Sequence, residues 1–202
     1  MIKYIVFDFD GTIADTYSKI KGIVNDLKKE ENKEIDFEEI RDHGTKYLIK
    51  KSGIPLWKMP KFVHRTMFEL KQKGNIKLFP KMLNVFKRLN KNYKLGIVSS
   101  NTEENIRFVL KKYDLENLFE FVYSRSSLFG KHRTLKKMCK KYKIKPKEVI
   151  YIGDEDRDVI AAKKARIRIA AVTWGFNSKK RLKEKNPDYL IDNPEELLKF
   201  NF

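Results

Sequence analysis

Two aspartates stand at alternate positions near the start of the chain, Asp8 and Asp10 in Phe7-Asp8-Phe9-Asp10-Gly11-Thr12, behind a run dense in Ile, Val, Tyr and Phe. Alternate residues of a regular strand point to one side, and the glycine after Asp10 permits a turn that brings both carboxylates near one ligand. Further along come Ser99-Ser100-Asn101, then Lys131, then Gly153-Asp154-Glu155-Asp156-Arg157-Asp158. Carboxylates gathered without a counter-charge repel one another and take up protons, a strain that a divalent cation removes. Oxygen-only donors, with no cysteine or histidine cluster beside them, favour Mg²⁺ over Zn²⁺. His43, His64 and His132 lack metal-ligand spacing and read as surface or packing residues.

Beside a cation, Asp8 stays ionised and can attack phosphorus. Asp10, less committed to the metal, can protonate a leaving oxygen and later deprotonate water. The Ser99 hydroxyl and the amides of Ser100 and Asn101 offer donors to phosphate oxygens, and Lys131 can neutralise charge developing on a group in transfer. Taken singly, each has a plainer reading: Ser-Ser-Asn can cap a helix starting near Glu103, and Gly-Asp-Glu-Asp can be a turn. Their combination and order are hard to explain that way.

Such residues must be carried to one place. Runs at Lys3 to Phe9, Lys94 to Val98, Phe119 to Tyr123, Val149 to Ile152 and Arg168 to Val172, with a short sixth at Tyr189 to Ile191, read as buried strands. Helical periodicity marks Pro80 to Leu89, Glu103 to Tyr113, Lys131 to Tyr142, Asp156 to Ala165 and Pro194 to Phe200. This alternation predicts an α/β fold, a parallel sheet covered by helices, whose ligands collect beyond the carboxyl ends of the strands. The stretch from about Asp15 to Phe79 breaks the rhythm. It reads as helices around Tyr17 to Lys29, Asp36 to Lys51 and Met59 to Lys73, an insertion directly after the first strand's loop. The expected organisation is a catalytic core of 1–14 and 80–202 with a small helical cap domain at 15–79.

The order Asp8-Phe9-Asp10-Gly11-Thr12, Ser99, Lys131 and Gly153-Asp154 with Asp158 resembles the four motifs of the haloacid dehalogenase-like hydrolase superfamily. The resemblance spans nearly the whole chain. It implies a Rossmann-like three-layer core, an aspartyl-phosphate intermediate on Asp8, and Mg²⁺ held by the Asp8 carboxylate, the Asp10 main-chain carbonyl and Asp154. Spacing favours Asp158 over Asp156 as the supporting acid of the last motif, so the expected metal residues are Asp8, Asp10, Asp154 and Asp158. The insertion, the return at Leu78-Phe79-Pro80 and the later Thr173-Trp174-Gly175-Phe176 and Pro187-Asp188-Tyr189 are similar to the phosphoglycolate phosphatase branch. An acidic residue at Asp10 sets the chain apart from members that dehalogenate carbon. The reaction implied is hydrolysis of a small phosphomonoester, phosphoglycolate being one guess. A sugar-phosphate mutase, a basic nucleic-acid-binding protein and a polynucleotide end-phosphatase are the alternatives. Among cap residues, Arg41, His43, Lys46 and Trp57 could face substrate, although each is as readily a solvated or packing residue.

A chain of 202 residues, 41% hydrophobic, can bury the core of one domain carrying an insertion. Its apolar runs fall well short of the roughly 20 residues a membrane helix needs. The start, Met1-Ile2-Lys3-Tyr4-Ile5-Val6-Phe7, lacks the features of a secretion signal, so a soluble cytoplasmic protein is expected. The single cysteine, Cys139, excludes an internal disulfide and sits at helical spacing from Leu135, Met138 and Tyr142, as a packing residue would. The net charge of +18 admits a polyanion partner such as nucleic acid or merely solvated, lysine-rich helix faces. Because lysines run from Lys3 to Lys199 mixed with acids, as in Lys28-Lys29-Glu30-Glu31, the second reading is favoured. In both cases a positive field steers phosphorylated substrate toward the protein. The sequence specifies no oligomeric state.

Overall fold

A computed structural model describes residues 1–18, 37–43, 47, 76–124 and 130–200. Its framework is a six-stranded, all-parallel sheet in the order β3-β2-β1-β4-β5-β6. The strands are β1 (Tyr4–Phe7), β2 (Lys94–Ser99), β3 (Phe119–Ser124), β4 (Val149–Gly153), β5 (Arg168–Val172) and β6 (Tyr189–Ile191). The helices are α1 (Phe37–His43), α2 (Met82–Leu89), α3 (Glu103–Lys112), α4 (Lys131–Lys141), α5 (Asp156–Ala165) and α6 (Lys179–Lys183), with a 3₁₀ turn at Pro194–Leu198.

The strands read as near-continuous apolar runs because both faces of the sheet are covered. Period-2 alternation sends Ile5, Phe7, Ile97, Ile152 and Val172 into one buried cluster and Val6, Val98, Tyr151, Ile169 and Ala171 into the other. The first cluster lies under α2 and α3, through Phe86 and Leu110 among others; the second lies under α4, α5 and α6, through Leu135, Val159 and Leu182. Buried residues Met82, Val85, Phe86 and Leu89 recur along α2 at the spacing of one helix face. Thr102, not the Ser-Ser-Asn run, caps α3: its hydroxyl accepts from the Asn105 amide at 3.3 Å. Cys139 packs in the second cluster, where burial pushes its thiol up to about 11.

The expected strands match the observed ones to within two residues. Two local differences stand out. Pro194–Leu198 winds as a 3₁₀ turn where a helix was expected, and Lys179–Lys183 forms a short helix that the sequence reading passed over. Five cationic side chains, Lys179, Lys180, Arg181, Lys183 and Lys185, crowd the sequence around Leu182, the one buried position of that helix, so no hydrophobic period announces it.

The chain leaves the core and returns beside itself. The Asp15 amide donates to the Lys77 carbonyl at 2.9 Å and the Phe79 amide to the Ile13 carbonyl at 3.1 Å, with an antiparallel bridge between Ala14 and Leu78. Of the three helices expected between these points, the second is represented by α1, and Tyr17 and Ser18 are helical at the start of the first. The third, Met59 to Lys73 with His64, lies outside the described residues, as do Lys46 and Trp57. Among the described residues, no helix is long and apolar enough to cross a membrane.

Phe86 meets Phe7 and Phe119 edge-on, with ring centroids 5.3 and 5.2 Å away, and is fully buried. Phe86→Ala should therefore destabilise the fold by about 3–5 kcal/mol in urea denaturation, the usual scale for emptying a buried aromatic site.

Candidate active site

β1 lies at the centre of the sheet, with Phe7 in register with Ile97 of β2 and Ile152 of β4, so the segments following these three strands emerge side by side. Connections from β1 run outward in opposite directions, and the crevice at such a reversal is where open α/β sheets bind ligands. Asp8 is the first residue past β1, pinned by its amide to the Ile152 carbonyl at 2.8 Å. The chain then coils instead of continuing as a strand: the Phe9 carbonyl accepts from the amides of Ile13 and Ala14 at 2.9 and 3.0 Å. Asp8 and Asp10 therefore share the crevice through a tight loop and not through strand pleating.

Asp8, Asp154 and Asp158 converge, each offering a carboxylate oxygen within 4.8 Å of the others. Lys131, at the start of α4, bridges Asp8 and Asp158. The second oxygen of Asp158 accepts from the Glu155 amide at 3.1 Å, closing the capping box that begins α5. Asp154 is held at both oxygens: Thr12 donates its hydroxyl at 2.8 Å to one, the Phe176 amide at 2.7 Å to the other. Asp156 points elsewhere and pairs with Arg181 at 2.6 Å, so Asp158 is the acid of the α5 turn that joins the cluster.

Ser99 is buried, and its Oγ accepts from the Asn101 amide at 3.1 Å. The Asn101 side-chain amide reaches across to both carboxylate oxygens of Asp10, at 3.1 and 3.2 Å. Sequence reasoning had offered the Asn101 main chain to phosphate; the structure commits that amide to Ser99 and gives the side chain the task of orienting Asp10. Ser100, half-buried, follows Ser99 at the same edge.

Thr12, Gly175 and Phe176 were named in the sequence only as parts of larger patterns, and their contact with Asp154 was not legible there. Backbone packs directly on this carboxylate. A Cβ placed on Gly11, whose φ is +74°, would stand 2.2 Å from Asp154 Oδ2, and one on Gly175 would stand 2.3 Å from it. Glycine at both positions lets two loops close over Asp154. Arg157 went unassigned in the sequence; it pairs with Glu155 beside the cluster.

The helix α1 reaches the same region. Arg41 donates to the Thr173 carbonyl at 2.9 Å and lies over the Tyr17 ring, which in turn meets Phe176 edge-on. Arg181 donates to the Asp42 carbonyl at 3.1 Å while holding Asp156, so one guanidinium ties the carboxyl end of α1 to the turn that carries Asp154. His43 stacks near Tyr47 and is exposed.

The site's charge is unbalanced. Asp8, Asp154, Glu155 and Asp158 are all buried, and Lys131 and Arg157 are the cations that reach them. Burial, then the charges of Glu155, Asp158 and Asp8, push Asp154 well above the usual carboxylate range. Burial also raises Asp8, against the pull of Lys131. Asp10 rises to about 7, by burial first and the Asp8 charge second. Burial would lower the Lys131 ammonium, but Asp158 and Asp8 outweigh it and hold it well above its ordinary value. Surplus buried negative charge presented by all-oxygen donors is what a hard divalent cation requires, so the cluster fits one.

Comparison with known proteins agrees with this geometry. The family described as haloacid dehalogenase-like hydrolase matches residues 5–172. A phosphoglycolate phosphatase from Synechococcus elongatus is 32% identical over 96% of this chain and 94% of its own length. A pyrophosphatase from Oceanobacillus iheyensis is 26% identical, over 98% of this chain and 95% of its own. A haloacid dehalogenase-like family hydrolase from Streptococcus pneumoniae superposes with a TM-score of 0.81 at 24% identity, covering 98% of this chain and 97% of that one.

Asp10 fixes the sign of a pH effect. Its carboxyl titrates at about 7 in the fold against 3.8 ordinarily, so the folded protein keeps a proton that the unfolded chain releases between those values. The metal-free fold then loses stability as pH rises through that window, the loss being complete above it. A divalent cation competes with the protonation that burial favours on Asp8 and Asp154. The rise in melting temperature on replacing EDTA with MgCl₂ should be larger at about pH 7.5 than at about pH 5. Differential scanning fluorimetry at the two pH values checks it, and an equal rise would contradict the charge account.

Proposed function

The chain belongs to the haloacid dehalogenase-like hydrolases and is a phosphatase, and from that premise we propose that it hydrolyses a small phosphomonoester, with Mg²⁺ and through a phosphoryl group carried on Asp8. The observation that carries this reading is the buried convergence of Asp8, Asp154 and Asp158 around Lys131, with Asp10 alongside under the hold of Asn101.

In this reading Asp8, Asp154, Asp158 and the Asp10 main-chain carbonyl are the residues that would hold Mg²⁺. When bound, the ion offsets the carboxylate charge and polarises the phosphoryl oxygens. Asp8 then attacks phosphorus as a carboxylate; the bond from phosphorus to the ester oxygen breaks, and Asp10 gives that oxygen its proton. A water next attacks the phosphorus, Asp10 takes the water's proton, and the bond to Asp8 breaks to release inorganic phosphate. Burial suits Asp10 to both duties: a carboxyl with a pKa of about 7 can give up a proton and recover it near neutral pH, and Asn101 aims it. Ser99, Ser100 and Asn101 border the phosphoryl group, and Lys131 stabilises the charge it develops. Asp158 keeps the Lys131 ammonium directed at Asp8.

The segment 15–79 serves as the cap. It selects the leaving group, while the core of 1–14 and 80–202 performs the transfer. Phosphoglycolate is the substrate we propose, on the strength of the phosphoglycolate phosphatase from Synechococcus elongatus aligned along nearly the whole chain. Pyrophosphate is the second reading, favoured by the relative from Oceanobacillus iheyensis. Both relatives use water as the final acceptor, which favours hydrolysis over a mutase reaction. Such a metabolite and the absence of a membrane-spanning helix among the described residues support a soluble, cytoplasmic setting.

Phosphate release from phosphoglycolate, pyrophosphate and an aryl phosphate, each with MgCl₂ or EDTA, tests the proposal. Turnover should require the cation and fall by about 1,000-fold or more in Asp8→Asn, the scale of losing a nucleophile. Equal rates for wild type and Asp8→Asn across all three substrates would end the phosphatase mechanism. A preference for pyrophosphate would replace the substrate assignment alone.

A further inference from the structure

The cations that appear scattered along the sequence gather on one side of the fold. From Lys131 to Lys147 the chain holds nine lysines and arginines and not one aspartate or glutamate. Apart from Lys131, which turns into the active site, and buried Leu135, Met138 and Cys139, α4 presents a cationic surface: Lys136, Lys137 and Lys140 are all exposed. α5 packs beside α4 and adds exposed Lys163 and Lys164; α6 follows with Lys180 and Lys183. The sharing of one buried cluster by these three helices puts their outer faces on the same side of the sheet. Contact among the cations is direct enough that His132, lowered first by desolvation, is lowered further by Arg133, Lys164 and Lys136 from both helices.

The opposite helical layer differs. There Glu103 and Glu104 open α3, Asp114 and Glu116 follow it, and Glu195 and Glu196 lie in the 3₁₀ turn, offsetting the lysines around them. A compositional drift toward lysine would load both layers alike. Nor are the cations of the α4 face neutralised locally. Among the described residues, Lys136, Lys137, Lys140 and Lys164 make no ion pair; on the other side Lys87, Lys91, Lys111 and Lys112 make none either, but there Lys81 and Arg107 are paired with Glu195 and Glu103 and more carboxylates stand among the lysines. The two helical layers stand roughly 20 Å apart, twice the ~10 Å spacing of packed layers. That exceeds the ~8–10 Å Debye length at physiological salt, so each face acts on a partner independently.

We propose that the outer face of α4, α5 and α6 binds the phosphate backbone of nucleic acid, without reading its sequence. Nucleic acid is the partner whose chemistry matches: a row of exposed, unpaired ammonium groups along a helix about 16 Å long meets several phosphates and releases their counterions. Among the described residues, the face carries no exposed aromatic on which a base could stack; Tyr142 is stacked on Phe121 beneath Lys141. Binding there is distinct from the phosphatase site and leaves its residues untouched.

Two charge-matched variants test the assignment. Lys136, Lys137, Lys140 and Lys164 are changed to Gln in one; Lys87, Lys91, Lys111 and Lys112, exposed on the opposite layer, are changed to Gln in the other. Fluorescence anisotropy with a labelled 20-nucleotide RNA, at several salt concentrations, reads affinity and its salt slope. The α4 face variant should bind about tenfold or more weakly, with a slope shallower by about 1 for each phosphate contact removed. The control should stay within about twofold of wild type, and both should retain wild-type phosphate release. Equal weakening in the two variants would reduce the effect to net charge and overturn the proposal, as would failure of wild type to bind at low salt. A preference for anionic phospholipid vesicles over RNA in a competition titration would also overturn it.

Discussion

Everything at the carboxyl edge of the sheet is arranged around an excess of buried negative charge. Asp8, Asp154, Glu155 and Asp158 are withdrawn from water, with Lys131 and Arg157 as the opposing cations. Burial and mutual repulsion raise Asp8, Asp10 and Asp154 together. A hard divalent ion offsets the same surplus charge, and the oxygen-only donor set suits one. Asp10 is placed differently: it meets Asn101 instead of Lys131 and rises by burial toward the pKa a proton shuttle needs.

Rigid backbone keeps these charges at working distance. Parallel pairing of β1 with β2 and β4 sets the level at which each loop begins, and the alternating core on both faces resists any slip of register, since one residue of slip would send every buried side chain into the opposite cluster. Glycines at 11 and 175 then let two loops close over Asp154, leaving no space for a side chain. Arg181 extends the same framework outward, joining Asp156 in the α5 turn to the carboxyl end of α1. Seating of α1 and the position of the Asp154 loop are thereby mechanically connected.

Much of this was legible in the sequence. Short apolar runs located all six strands, because a sheet covered on both sides demands continuous Val, Ile and Phe and leaves an unmistakable trace. Asp8, Asp10, Lys131, Asp154 and Asp158 were visible as a set because carboxylates at successive strand ends have few structural uses. Contacts made across the fold were not visible. Asn101 to Asp10, Thr12 to Asp154 and Arg181 to Asp42 join residues far apart in the chain, with no spacing rule to connect them. The α6 helix escaped because one buried leucine among cations has no period. Charge misled for a related reason: read in one dimension the lysines are spread throughout, and folding brings the acid-poor run from Lys131 to Lys147 beside Lys163 and Lys164 on one face.

The central claim is that the charge-stressed Asp8 becomes the nucleophile once a cation is present. Asp10→Asn should slow release of the phosphoryl group from Asp8 more than its arrival when the leaving group is an activated aryl oxide, which needs little protonation. Rapid acid quench of that variant with an aryl phosphate and MgCl₂, followed by peptide mass spectrometry, should find the phosphoryl group on Asp8 and lose it when EDTA replaces the metal. Aryl phosphate turnover by the variant with Asp8 unmodified at every quench time would contradict the account.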